Sequence, residues 1–258
     1  MLRRAAIPIL LCAAAFGAAA VASGELSQSG NLRIAFDGGF APRSLPRDRA
    51  VPVTVRVEGS IATTDGTHPP PLKRLQIELN RAGRLQSHGL PACSSPLLQS
   101  TSSETALRRC GPALVGRGTF RADLADEQSG FPARGTILAF NARHGGRPAL
   151  LLHLYGTVPV HATLVLPLTI SHREKGKFGT VLSANIPTLA GGFGSITEIE
   201  LRIGREYTYR GRRRGYVSAS CAAPAGFPGA VFSFVRGNFI FAGGPTLHTT
   251  LVRDCRVR

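Results

Sequence analysis

The chain has 258 residues, 30 glycines, 18 prolines, no tryptophan and a formal net charge of +16. A chain of this length buries roughly 70% of its extended surface, so it builds a core without help from a metal, and its turn-forming composition points to many short strands. Every basic residue except Lys73, Lys175 and Lys177 is arginine, spread along the whole length. A GC-rich coding bias produces the same spread, which weakens nucleic acid as the reading of the charge.

The first 22 residues have the three-part pattern of a secretory leader. Arg3 and Arg4 precede an uncharged apolar run from Ala5 to Ala20, and Ala20-Val21-Ala22 is a small-x-small cleavage pattern. The run is short for a bilayer span, which takes about 20 apolar residues. No later stretch is apolar for long enough, so no transmembrane helix is expected in the mature chain. Cys12 sits mid-run and does not fit a lipoprotein site. The expected division is a signal peptide at 1–22 and one all-β domain at 23–258, exported and then secreted or held at the cell envelope. Export removes the chain from intracellular nucleic acid. Its charge is then expected to attract an anionic envelope polymer or an acidic glycan.

Strand signals begin at once. Leu32, Ile34 and Phe36 alternate with polar residues, as do Val51, Val53, Val55 and Val57, and then Leu75, Ile77 and Leu79. A period of two puts one face on a core and the other in water. Residues 64–71, with Asp65-Gly66 and three prolines, read as a loop. Thr101-Ser102-Ser103-Glu104 fits a capping box, with Thr101 as N-cap, and opens one short helix that Gly111-Pro112 ends. Strands resume at roughly 114–123, 135–142, 148–155, 160–171, 179–186, 196–203, 205–210, 215–221, 230–235, 237–242 and 246–253. Gly145-Gly146, Gly176 and Gly243-Gly244 mark tight turns, the last pair suiting a two-residue hairpin. The expected fold is a single antiparallel β-sandwich or jelly roll.

Export makes the remaining cysteines disulfide partners before metal ligands. Cys93, Cys110, Cys221 and Cys255 allow three pairings. Cys93–Cys110 with Cys221–Cys255 closes two short local loops and is the pairing expected. None of the spacings is CxxC, so no zinc site is expected.

The sharpest local feature is an Arg-rich hairpin. Tyr207 and Tyr209 alternate with polar residues, Gly211-Arg212-Arg213-Arg214-Gly215 is read as the turn, and Tyr216 starts the return strand. Arg212, Arg213 and Arg214 offer bidentate hydrogen bonds to phosphate or carboxylate, and Tyr209 and Tyr216 offer stacking faces. The bland reading is a solvated hairpin tip.

Catalytic signals are weak. The histidines show no HExxH pattern, and His153 reads as a buried histidine with a hydrogen-bond partner, sharing a strand face with Leu151 and Tyr155. Ser195 lies in a glycine-rich stretch without a nucleophile elbow, and 191–195 reads as a flexible connection. The acidic residues fall in turns or on outer strand faces, as Glu58, Glu78, Glu198 and Glu200 do, rather than as a glycosidase pair. Asp123, Asp126 and Glu127 do not match a calcium loop. No cofactor is expected. The reading is a binding or structural module, with a secreted hydrolase or isomerase of unrecognised type as the alternative.

The segment from Tyr209 through Cys221 to Phe227, then 239–244 and 251–255, resembles an uncharacterised group of exported actinobacterial proteins. Residues 70–79 and 139–155 are similar too. The resemblance implies export and an all-β body, attaches no activity, and favours joining Cys221 to Cys255.

Overall fold

The computed structural model describes residues 24–125, 130–159, 161–189 and 194–258. The leader, Asp126 and Glu127, the first residue of the strand expected at 160–171, and residues 191–193 of the glycine-rich stretch lie outside the described residues.

The strands are β1 (Glu25–Ser29), β2 (Leu32–Ala41), β3 (Ser44–Leu45), β4 (Val51–Pro52), β5 (Thr54–Thr63), β6 (Leu72–Asn80) and β7 (Gly83–Leu85). After two helices come β8 (Leu114–Ala125), β9 (Gly130–His144), β10 (Arg147–Val158), β11 (Ala162–His172), β12 (Phe178–Asn185) and β13 (Gly194–Ile203). The last are β14 (Glu206–Tyr209), β15 (Arg212–Gly215), β16 (Val217–Ala219), β17 (Gly229–Phe241) and β18 (Thr246–Val257). Thirteen of them form one curled sheet in the order β1-β2-β5-β13-β8-β9-β10-β11-β12-β6-β17-β18-β3. Pairing is antiparallel except for the short β3–β18 contact, which is parallel. The expected all-β, sandwich-like class is the one observed.

The alternation read from sequence is the core. On β2, Leu32, Ile34, Phe36 and Phe40 are buried while their neighbours face out. The sheet curls until β18, near one end, lies against β1 and β2 at the other. Phe36 then meets Phe239 edge-on at 5.9 Å, and Phe40 meets Phe234 at 5.3 Å. Glycine permits the tight curl. A Cβ on Gly118 would lie 2.0 Å from the Glu200 carbonyl oxygen, and one on Gly135 2.0 Å from that of Tyr155, so only a residue without a side chain allows those backbones to approach. Arg253 on β18 closes the roll. It is 7% exposed, its Nε donates to the Gly38 carbonyl at 2.6 Å, and its guanidinium pairs with Asp37, both on β2.

Strand β10 is apolar on both faces because both are covered. Leu150, Leu152 and Leu154 join the main core, and Ala149 and Leu151 join a second one. The second core lies under a helical cap, α1 (Ser95–Leu98) and α2 (Ser103–Cys110) with a 3-10 turn at Gly111–Ala113. The cap thus holds two helices where one was expected. The N-cap of α2 is Ser102, not Thr101, and its side chain accepts from Thr105 N. Thr101 is buried and donates to the Leu98 carbonyl, and Glu104 pairs with Arg108 instead of reaching back.

Both expected disulfides are present, Cys93–Cys110 with Cα atoms 5.6 Å apart and Cys221–Cys255 with 5.7 Å. The first pins α2 to the loop before α1. The second joins the segment after β16 to β18 inside the main core.

Three expectations about strands need correction. Residues 230–235 and 237–242 form one strand, β17, which a bulge between Ser233 and Val235 bends without breaking. Gly145-Gly146 is the two-residue hairpin, with φ of 56° and 76°, and His144 opposite Arg147. The loop at Gly243-Gly244 is longer, since Phe241 N donates to the Pro245 carbonyl. Ser195 belongs to β13 and donates to the Pro69 carbonyl at 2.9 Å from a buried position.

Candidate functional site

The Arg-rich segment is a hairpin whose turn falls one step earlier than the glycines suggest. Tyr209 faces Arg212 across the ladder, so Arg210 and Gly211 are the turn, with φ of 50° and 70°. Two adjacent positive φ values are what a type I′ turn demands, and arginine is an unfavoured residue for the first of them. Arg212, Arg213 and Arg214 therefore lie in β15 and alternate. Tyr207, Tyr209, Arg212 and Arg214 share one face, and Thr208 and Arg213 lie on the other.

The three arginines consequently have different surroundings. Arg213 is exposed and paired with Glu206. Arg212 is exposed at the turn end of the hairpin, beside the exposed Arg210. Arg214 is half-buried, and its guanidinium lies 5.5 Å from the centre of the Tyr209 ring, with that of Arg210 at 5.3 Å. Such distances are in the range of cation–π attraction.

The hairpin is docked. The Tyr207 hydroxyl donates to the His88 carbonyl at 2.9 Å. Tyr209 packs on Gly89, where a Cβ would lie 2.2 Å from the ring. Burial pushes the Tyr207 phenol up, an effect that the nearby Arg214 charge opposes. Tyr216 does not offer a stacking face to solvent. It is fully buried, its phenol is pushed well above the usual range by burial, and its backbone leads the chain from β15 into β16. Tyr209 and Tyr216 are thus not equivalent: the first sits beneath two guanidinium groups, and the second belongs to the core.

Between the hairpin and the 85–88 segment is a cavity of about 220 Å³, walled also by Pro148 of β10 and by Ile170 and His172 of β11. Arg214, His88 and Tyr216 border it. Sequence reading missed this cavity, because it assembles residues far apart in the chain.

A second arginine cluster comes from strand register alone. Arg56, Arg202 and Arg117 stand directly opposite one another on β5, β13 and β8, all exposed. Next to them Asp37, Glu58 and Glu200 form an acidic row. Arg56 pairs with both Glu58 and Glu200, the latter at 3.2 Å. A broad groove of about 840 Å³ crosses this surface, but its carboxylates Asp37, Glu58, Glu198 and Glu200 are held in partly exposed ion pairs.

Glu78 is not on a solvated face as expected. It is buried between Arg173, at 2.9 Å, and Arg236, which also covers the Phe178 ring. His153 is fully buried beneath the cap, and its Nε2 donates to the Thr101 carbonyl at 2.9 Å. Tyr155 stacks between His153 and His161, at 6.4 and 5.7 Å. Among the described residues, no group of three or more His, Cys, Asp and Glu is arranged to hold a metal.

Burial lowers the His153 pKa from its ordinary 6.5. The unfolded chain therefore takes up this proton more readily than the folded one. The stabilisation is complete above about pH 6.5 and is lost as pH falls from there towards the depressed value. Urea midpoints measured from pH 7.5 to 5 should fall in the native protein and fall less steeply in His153→Gln. Equal slopes would show that His153 does not couple the cap to pH.

No protein-family model, no curated protein and no solved structure matches the chain. Among the described residues, no helix is long and apolar enough to cross a membrane.

Proposed function

We propose that the protein is an exported, disulfide-stabilised binding module whose Arg-rich hairpin grips an anionic envelope polymer or acidic glycan. The leader pattern and the resemblance to exported actinobacterial proteins are part of the same proposal. The observation that carries it is the docked hairpin. Arg210 and Arg212 lie beside Tyr209, and Arg213 lies on the opposite face of the same exposed hairpin, on a support fixed by Tyr207 and Gly89. Arg210 occupies a left-handed position where asparagine or glycine fits at lower cost. A strained arginine at the tip of a basic hairpin supports a role in contact. Exposed guanidinium groups bind phosphate, sulfate and carboxylate through paired N–H donors, and the contact weakens with salt.

The test is retention of the oxidised protein on isolated cell envelopes and on a panel of acidic glycans at low and high salt. Retention should disappear at high salt. Replacing Arg210, Arg212 and Arg213 with serine should lower the salt needed for elution, while the thermal midpoint stays within a few degrees because these side chains are exposed. Retention unchanged by the triple substitution would remove the hairpin from the contact.

A further inference from the structure

We propose that the cavity beneath the hairpin binds one small oxyanionic group, a carboxylate or phosphate borne by a unit no larger than a monosaccharide. This deepens the polymer-binding reading and rests on it for the ligand's source.

Two of the residues that border it each carry a buried polar atom without a partner. The Arg214 Nε and the Tyr216 hydroxyl are both shielded from solvent without a hydrogen bond. Unsatisfied buried donors are uncommon because each forfeits its hydration without compensation. Here both belong to residues that border the same cavity. A bound oxyanion accepts from donors of both kinds at once.

The charge around the cavity has the matching sign. Its lining contains Arg214, His88 and His172 and no aspartate or glutamate. Arg213, one residue away, is neutralised by Glu206, whereas Arg214 has no carboxylate partner among the described residues. The Tyr209 ring beside the guanidinium adds attraction to the cation but no counter-charge. The walls are rigid: Gln86 N donates to the Tyr216 carbonyl at 2.8 Å, and Tyr207 holds His88.

Size and polarity narrow the class. At about 220 Å³ the cavity falls below the roughly 300–1,000 Å³ of pockets for drug-sized ligands. Leu85, Pro148 and Ile170 make one side apolar. A sugar acid or sugar phosphate has both parts, an oxyanion for Arg214, Tyr216 and Ser87 and a C–H face for the apolar wall. The polymer held by the hairpin then places one charged unit in this pocket.

The experiment titrates isotope-labelled, oxidised protein with sodium phosphate, with sodium D-glucuronate, and with sodium chloride at matched ionic strength, following amide shifts. At least one oxyanion should give saturable shifts at 86–90 and 214–217 that chloride does not. Saturation by phosphate alone assigns a phosphate-bearing unit, and saturation by glucuronate alone a carboxylate-bearing one. Tyr216→Phe should weaken that binding about fivefold through one lost hydrogen bond, and Arg214→Gln should abolish it. Tyr216→Phe removes an unpaired hydroxyl, so its thermal midpoint without ligand should equal or exceed the native one. That result separates a binding role from a structural one. Shifts that never saturate, or that chloride reproduces, overturn the pocket even if salt-sensitive retention on polyanions persists. Loss of that retention with intact oxyanion binding instead overturns the hairpin reading and leaves the pocket standing.

Discussion

Replacing Cys221 and Cys255 together with alanine lowers the stability of the oxidised protein by about 4 kcal/mol, the value that loop-closure entropy assigns to a 34-residue separation. The bond has structural work beyond the unfolded chain. Both sulfurs are buried in the main core. Cys221 N donates to the Pro46 carbonyl, and Arg256 N and Arg258 N donate to Arg43 and Leu45. The bond therefore holds together the segments that close one end of the roll. A loss of this size shifts the thermal midpoint by on the order of 10 °C in a protein of more than 200 residues. Removing Cys93 and Cys110 should cost slightly less, about 3 kcal/mol for a separation of 17. That change should act locally, raising hydrogen exchange in α1, α2 and around His153 while the sheet stays protected. Thermal melts and exchange on the two double variants check both statements. A Cys221/Cys255 variant melting within 2 °C of the native protein would show that the roll holds its end without the bond.

Arg253→Met should cost about 3 kcal/mol although it keeps the length and much of the volume of the side chain. The reason is the position of the guanidinium. It is buried between the two ends of the sheet, where it donates to the Gly38 and Val252 carbonyls and pairs with Asp37. Methionine leaves Gly38 without that donor and Asp37 without its counter-charge. Asp37 is partly exposed and recovers some hydration, which keeps the loss below that of a fully buried pair. Arg253→Lys should recover only part of the loss, because an ammonium group cannot reproduce the planar fork that reaches both carbonyls and the carboxylate. Urea unfolding of the three proteins distinguishes these cases. A methionine variant as stable as the native protein would mean that the aromatic contacts of Phe36 and Phe40 alone close the roll.

How much of this was legible in the sequence varies with how local each feature is. The alternation at Leu32, Ile34 and Phe36 marks β2 because the period of a half-buried strand is written in consecutive residues. The disulfide pairing was legible because both bonds span short separations. The hairpin was legible as a hairpin, but its turn was not. Glycines at 211 and 215 suggested a five-residue loop, whereas the ladder selects Arg210-Gly211 and places an arginine at positive φ. Tyr216 was misread for a related reason. It follows directly on an exposed hairpin, yet the chain there leaves β15 for the β4-β16-β7 sheet and turns the ring inward. Glu78 looks like an outward residue by alternation, which it is, but Arg173 and Arg236 close over it from other strands. The pocket and the Arg56-Arg202-Arg117 row depend on long-range register, for which one sequence carries no local signal.

Amide hydrogen exchange on the oxidised protein, with and without a sulfated glycan oligomer at low salt, locates the surface that a polyanion contacts. Added protection should be confined to 86–90 and 205–217 and fade as salt is raised. Protection centred on Arg56, Arg117 and Arg202 of β5, β8 and β13, or none at any site, would contradict the hairpin contact.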